Sequence, residues 1–430
     1  MNACPPHDGP LAGHPHFHYR QGVLHAEGVA LDALARELGT PLYVYSRSAL
    51  RAAWETYRAA IGPRNALVCY GMKANSNLAV LKEFARLGAG FDIVSGGELA
   101  RVLAVGGDPA KIVFSGVGKQ VWEMQAALRA GVKCFNVESL AELHRLSQVA
   151  VGMHAVARVS LRVNPDVDAQ THPYISTGLK ENKFGIAIDT ALDAYRTAAS
   201  LPGIQIVGVD CHIGSQITEV SPYLDALDKL IGLIASTQAA GIAIEHLDLG
   251  GGLGIRYDDE TPLAPADLLS RVFACLDARG LGHLQLCLEP GRSLMGNAGV
   301  LLTEVQYLKH TEARNFAIVD AAMNDLLRPA LYEAWHGVRP VTPRSDDAHV
   351  YDLVGPVCET ADWLARARTL CLREGDLIAL ESAGAYGFVM ASNYNTRARP
   401  AEVMVDGERY HVVRQRETFE DMIRGESTLP

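Results

Sequence analysis

The 430-residue chain predicts an α/β protein: a (β/α)8 TIM barrel joined to a β-rich, barrel- or sandwich-like second domain. Three observations carry this reading. Eight short apolar runs alternate with amphipathic stretches between residues 66 and 290, the chain turns β-rich after about residue 300, and short β-like pieces precede the first of the eight runs.

In chain order, the opening segment holds "HYRQGVLH" and "TPLYVYS" around one helical pattern, "LDALARELG". It is expected to join the β-rich domain at the other end of the chain, with the barrel inserted between. The eight runs follow: "ALVCYG" (66–71), "FDIV" (91–94), "KIVFS" (111–115), "VKCFNV" (132–137), "ARVSLRVN" (157–164), "IQIVGVDCH" (204–212), "IEHLDLG" (244–250) and "LQLCLEP" (284–290). Between most of them lie stretches such as "SGGELARVLAVGG", "SLAELHRLSQVA" and "YLDALDKLIGLIASTQAAG", long enough for crossover helices. An open doubly wound sheet is the alternative, but the first strand–helix turn lacks the GxGxxG of a dinucleotide site. Beyond residue 300, "LLTEVQYLKH", "NFAIVD", "HVYDLVGP", "DLIALESAGAY" and "AEVMVDGERYHVV" read as strands and turns. The expected domains are a barrel over 46–305, a β-domain over 17–45 and 306–430, and a flexible N-terminal extension over 1–16. His14, His16 and His18 alternate at its end and read as part of that polar extension rather than as a metal site.

Composition narrows the function classes. Hydrophobic residues make up 48% and charged residues 20%, which excludes a mostly disordered chain. The formal net charge of −10, with no clustered basic surface, argues against a nucleic-acid binder and for small-molecule partners. The eight cysteines form no CxxC pair, and Cys69, Cys134, Cys211 and Cys287 sit in apolar runs, so reduced core thiols and a cytoplasmic location are expected. The start shows no positive region followed by an apolar one, and no apolar run reaches the ~18 residues of a membrane span.

In a barrel, chemistry belongs at the C-terminal ends of the strands. Lys73 follows the first run, Asn164 ends the fifth, His212 ends the sixth, "GGGLG" (250–254) follows the seventh and "EPGR" (289–292) follows the eighth. Each has a plain structural reading: a solvated lysine, a core histidine, a tight turn, a Glu–Arg pair. Together they suit pyridoxal 5'-phosphate, which needs a lysine for its Schiff base, donors for its phosphate and a partner for its ring nitrogen. Lys73 supplies the amine, Glu289 the carboxylate for the ring nitrogen, His212 an imidazole flat against the ring, and the glycine turn with Ser215 and Gly291 the phosphate cradle.

Eight motifs in order carry a resemblance over about residues 17–420: "YGMKAN", "HPYISTGLKENKFGI" (172–186), "CHIGSQ", "DLGGGLGI", "EPGRSL", "MNDLLRPALYEAWH" (323–336), "GPVCETAD" (355–362) and "GAYGFVMASNYN" (384–395). The chain resembles the diaminopimelate decarboxylases, barrel-type (fold type III) pyridoxal phosphate enzymes related to ornithine and arginine decarboxylases. The resemblance implies that Lys73, His212 and Cys358 are catalytic, Cys358 returning a proton after CO2 leaves. It implies that Lys73, His212, Ser215, Gly251, Gly252, Glu289, Gly291, Arg292 and Tyr386 hold the cofactor. Arg292, Arg328, Tyr332, Glu359 and Tyr386 are implied to hold the substrate, and no metal is implied. It further implies a β-domain made from both chain ends and a head-to-tail homodimer whose shared sites receive Cys358 and Glu359 from the second subunit. The implied reaction converts meso-2,6-diaminopimelate, at its D-centre, to L-lysine and CO2. Charge supports this substrate: its distal end carries an ammonium and a carboxylate, which Glu359 and the Arg292–Arg328–Tyr332 set match. Relatives acting on ornithine carry aspartate where Glu359 stands. Gly71 and Thr360 replace the family's usual alanine and serine. A decarboxylase for another basic amino acid or a carboxynorspermidine-type substrate is the rival enzyme reading, and a non-catalytic binding homologue is the rival outside enzymes.

Overall fold

The computed structural model describes residues 8–168 and 182–430, so most of the 172–186 motif lies outside the described residues. Two compact units emerge: one takes in Trp54–Ile255 and Thr261–Ser293, the other the chain up to Ala53, Arg256–Glu260 and Leu294–Pro430.

The first unit is a closed parallel barrel. Its strands are β1 (Ala66–Gly71), β2 (Gly90–Ile93), β3 (Ile112–Phe114), β4 (Cys134–Val137), β5 (Ala157–Asn164), β6 (Ile204–Asp210), β7 (His246–Asp248) and β8 (Gln285–Leu288). Each pairs in parallel with the next, and β8 returns to β1 through Leu286↔Ala66 and Leu288↔Val68. The eight apolar runs are thus the eight barrel strands, and the open-sheet alternative is excluded. The runs are apolar throughout because one face meets the packed interior and the other the helices.

Short polar side chains fix where each loop ends and each helix begins. The Ser95 hydroxyl accepts the N–H of Glu98 ahead of the helix Gly96–Ala104, and Ser139 does the same for Glu142 ahead of Leu140–Gly152. Both serines lie two residues beyond a strand, so capping holds the mouth loops short. Below the mouth, Cys69, Val113, Cys134 and Val207 pack together. Gly208 on β6 is the register partner of His246 on β7, and a Cβ on Gly208 would lie 2.2 Å from His246 Nε2. The imidazole occupies the volume a side chain at 208 would need. Cys69, Cys134, Cys211 and Cys287 are buried and unbridged, as expected.

The second unit joins both chain ends in one sheet. Leu42–Ser46 lies between Gly299–His310, antiparallel to it, and Ala401–Asp406, parallel to it. The sheet continues through Asn315–Val319, His349–Val354 and Trp363–Leu370 on one side and Arg409–Arg414 on the other. Its core includes Phe17, Leu24, Leu31, Val44, Leu302, Val403 and Val405.

Two sequence expectations need correction here. The flexible extension expected through residue 16 instead enters a four-stranded sheet, with His14–Arg20 paired to Gly9–Leu11 and Val23–Ala26. Phe17 and Tyr19 are buried in it, and His14 is buried against Asn297 and Ser382, which supply the hydrogen bonds that its ring needs away from water. The expected break at residue 305 falls inside the continuous strand Gly299–His310, whose apolar run carries no punctuation at that point.

Candidate active site

The barrel mouth is assembled by backbone hydrogen bonds between successive loops. After β8, the Glu289 N–H donates to the Gly250 carbonyl at 2.7 Å; after β1, the Gly71 N–H donates to the Pro290 carbonyl at 3.0 Å. The approach is so close that side chains are excluded. A Cβ on Gly251 would lie 2.3 Å from the Glu289 carbonyl oxygen, and one on Gly291 would lie 2.8 Å from that of Gly71. Gly252 sits at φ +107°, and a Cβ there would lie 2.7 Å from the Gly214 carbonyl. The loops after β6 and β7 are clasped by Gln216: its amide nitrogen donates to the Ile255 carbonyl at 2.6 Å and its oxygen accepts the Ile255 N–H at 3.1 Å.

On this frame the expected barrel residues gather. Lys73 lies on the turn Met72–Ala74 immediately after β1, and its Nζ donates to Asp92 Oδ2 on β2 at 2.6 Å. His212, just past β6, accepts the Gly251 N–H at Nδ1, 3.2 Å away, which puts the ring proton on Nε2. Burial, reinforced by Lys73 and Arg162, holds this imidazole well below its ordinary range, so it is neutral. Ser215 Oγ accepts from Arg292 through Nε at 3.2 Å and Nη2 at 3.0 Å. Glu289 is buried and accepts from Asn136 Nδ2 at 3.3 Å. Burial first, then Asp92, Asp248 and Asp210, push its carboxyl well above the usual range.

A belt of buried charges braces the same rim. Lys119 Nζ donates to the carbonyls of Gly116 and Asn136 and to Glu142 Oε1, all within 2.8 Å. Arg162 donates to Glu138 at 3.0 Å, and Glu138 also accepts the N–H groups of Gly116 and Gly185. The ends of β3, β4 and β5 are therefore tied to one another by fully committed ions.

The remaining expected residues belong to the β-rich unit. Arg328 opens the helix Arg328–Tyr332 and is buried, with its Nη1 2.8 Å from His336 Nε2 and its guanidinium 4.5 Å from the centre of the Tyr257 ring. Tyr332 and Tyr386 are half-buried, Tyr386 in the left-handed region at φ +55°. Cys358 and Glu359 are exposed on a loop braced by Asp362, whose carboxylate accepts the N–H groups of Met323 and Val357. Glu359 accepts the Tyr394 hydroxyl at 2.8 Å.

Sequence reasoning missed Asp92, Asn136, Arg162, Asp210 and Asp248. The signal was present: "FDIV", "VDCH" and "HLDLG" each place an acid inside or at the end of an apolar run, where a turn residue gives the same letters.

Comparison with known proteins follows the same lines. Residues 47–296, more than half of the chain, match the model of the pyridoxal-dependent decarboxylase, pyridoxal binding domain. A diaminopimelate decarboxylase of Pseudomonas aeruginosa is 61% identical over 96% of this chain and 99% of its own length. The chain belongs to the diaminopimelate decarboxylase family. Its fold matches the diaminopimelate decarboxylase of Helicobacter pylori complexed with L-lysine at 41% identity and a TM-score of 0.88, covering 92% of this chain and 98% of that one. It matches that of M. jannaschii in co-complex with L-lysine at 36% identity and a TM-score of 0.92, covering 98% and 99%. The mouth fits the pyridoxal phosphate of diaminopimelate decarboxylases: backbone approaches that only glycine permits, a neutral imidazole, a primary amine and a buried carboxyl converge there.

Proposed function

We propose that this chain decarboxylates meso-2,6-diaminopimelate at its D-centre to L-lysine and CO2, the closing step of lysine biosynthesis, in the cytoplasm. The observation that carries the reading is the convergence of Lys73, neutral His212, the glycine cradle and Glu289 on one barrel mouth in a chain 61% identical to a diaminopimelate decarboxylase. Among the described residues no helix is long and apolar enough to cross a membrane.

Lys73 would hold the cofactor through its amine, which Asp92 orients. The N–H groups at Gly252 and Gly291, the hydroxyls of Ser215 and Tyr386, and Arg292 would hold the cofactor's phosphate, with Gly251 shaping the turn while its own N–H is committed to His212. Glu289 would pair with the cofactor's ring nitrogen, and the neutral imidazole of His212 would pack on the ring. When bound, pyridoxal phosphate supplies an electron sink for the bond to the departing carboxylate. Arg328, Arg292 and Tyr332 bind the distal carboxylate, which a planar guanidinium grips in bidentate fashion. Glu359 takes the distal ammonium, and the Cys358 thiol returns a proton to the α-carbon. The exposure of Cys358 and Glu359 supports their acting on substrate held by a second copy in a homodimer. A shorter diamine precursor leaves the distal set unpaired, which is the basis of selection.

The test is CO2 release and lysine formation from meso-diaminopimelate with added pyridoxal phosphate, beside Lys73→Ala and an ornithine control. Lysine from the unaltered chain alone, with little turnover of ornithine, is the expected result. Preference for ornithine overturns the substrate assignment.

A further inference from the structure

Asp210, Asp248 and Glu289 form a group of carboxyls that the proposed reaction uses only in part. Asp210 and Asp248 are register partners on β6 and β7, and Glu289 lies just past β8, the next strand round the barrel. One carboxyl oxygen from each lies within 4.8 Å of the others. Their exposures are 1%, 0% and 6%. Asp248 Oδ1 accepts the Gly250 N–H at 2.8 Å and Glu289 Oε1 faces Asn136, whereas Asp210 Oδ1 and Asp248 Oδ2 are buried with no hydrogen-bond partner. A buried bare carboxylate oxygen is costly; a carboxylic acid in the same place donates a hydrogen bond to its neighbour.

The surrounding charges do not balance three anions. Arg162 faces Asp210 but is bonded to Glu138; Lys73 is bonded to Asp92; Lys133, which faces Asp248, is bonded to Gln285. Asp92 adds a further carboxylate beside Asp248 and Glu289, and Glu138 one beside Asp210. Burial first, and the neighbouring carboxylates with it, raise all three, Asp248 to about 7 and the others well above their ordinary range. Groups this close titrate as one unit.

We propose that Asp210, Asp248 and Glu289 share two protons as one unit, so that the single negative charge rests on Glu289 when a protonated ring nitrogen faces it and is distributed over the three when none does. This rests on reading Glu289 as the carboxylate opposite the ring. Cofactor binding then breaks the Glu289 O–H bond and forms one on an aspartate oxygen, and no proton is exchanged with solvent by the trio. Asp210 and Asp248 are positioning residues: as acids they donate hydrogen bonds that settle the charge on Glu289.

Infrared difference spectroscopy of the enzyme stripped of cofactor, at neutral pH, reads this directly. The expected result is a set of carboxylic-acid C=O bands that shift in D2O, lose intensity separately in Asp210→Asn, Asp248→Asn and Glu289→Gln, and of which only the Glu289 component disappears on saturation with pyridoxal phosphate. Where a variant does not fold, the D2O-sensitive bands of the unaltered enzyme and their change on cofactor binding carry the test. Absence of carboxylic-acid bands at neutral pH overturns proton sharing. Persistence of the Glu289 band in the loaded enzyme overturns the charge relocation; if Glu289→Gln also leaves the bound cofactor's absorbance unchanged, the failure lies in pairing Glu289 with the ring.

Discussion

Lys73 and Cys358 stand in opposite surroundings. Lys73 belongs to a barrel rim where glycine-only backbone contacts, the Gln216 clasp and the buried pairs of Lys119 and Arg162 leave little freedom. Cys358 is exposed on a loop of the β-rich unit, held at its backbone N–H by Asn395 Oδ1 at 2.9 Å. Changes at the braced rim are therefore expected to act on stability first, whereas on the exposed loop function and stability are expected to separate.

The largest expected effect falls on the loop. Cys358→Ala lowers turnover roughly 10²–10⁴-fold, the usual range for losing a proton donor, while denaturant stability stays within about 0.5 kcal/mol, as for other exposed substitutions. An equal loss of stability would break the comparison. Mixing the inactive Lys73→Ala and Cys358→Ala chains sharpens it: recovered turnover places the thiol on a second copy, and none returns it to its own chain.

The rim should respond the other way. Lys119→Met leaves Glu142 buried without its cation and costs roughly 3–5 kcal/mol in chemical denaturation; both side chains are almost wholly buried, at 0% and 7% exposed. Turnover per folded molecule is expected to fall less than stability does.

Much of the rim was legible because barrel strands write themselves as apolar runs, and because Lys73, His212 and Glu289 lie just beyond three of them. Asp210 and Asp248 were not, since their proximity depends on the register between β6 and β7, which no single run contains. The start of the strand His14–Arg20 was misread for a related reason. Its buried Phe17 and Tyr19 alternate with half-buried His16 and His18, and histidines on the wetter face masked a period of two.

A smaller effect comes from pH. Burial lowers His246 to about 3, so the fold keeps it neutral. Its contribution is complete above the ordinary imidazole value of about 6.5 and is lost as pH falls from there towards about 3. His246→Asn is expected to show a shallower acid slope of melting temperature, whatever its absolute stability. The smallest is Gly71→Ala. Gly71 has φ −69°, open to any residue, and a Cβ would lie 3.3 Å from the Glu289 carbonyl. A change under about 1 kcal/mol is expected, with cofactor binding retained.

The contact between Gly208 and His246 also bears on how this barrel can vary. One strand's missing side chain is the other strand's ring, so neither position is free to drift alone. Enlarging residue 208 requires shrinking residue 246 in the same lineage, and a designer exchanging large for small between neighbouring strands has a ready-made pair with which to begin.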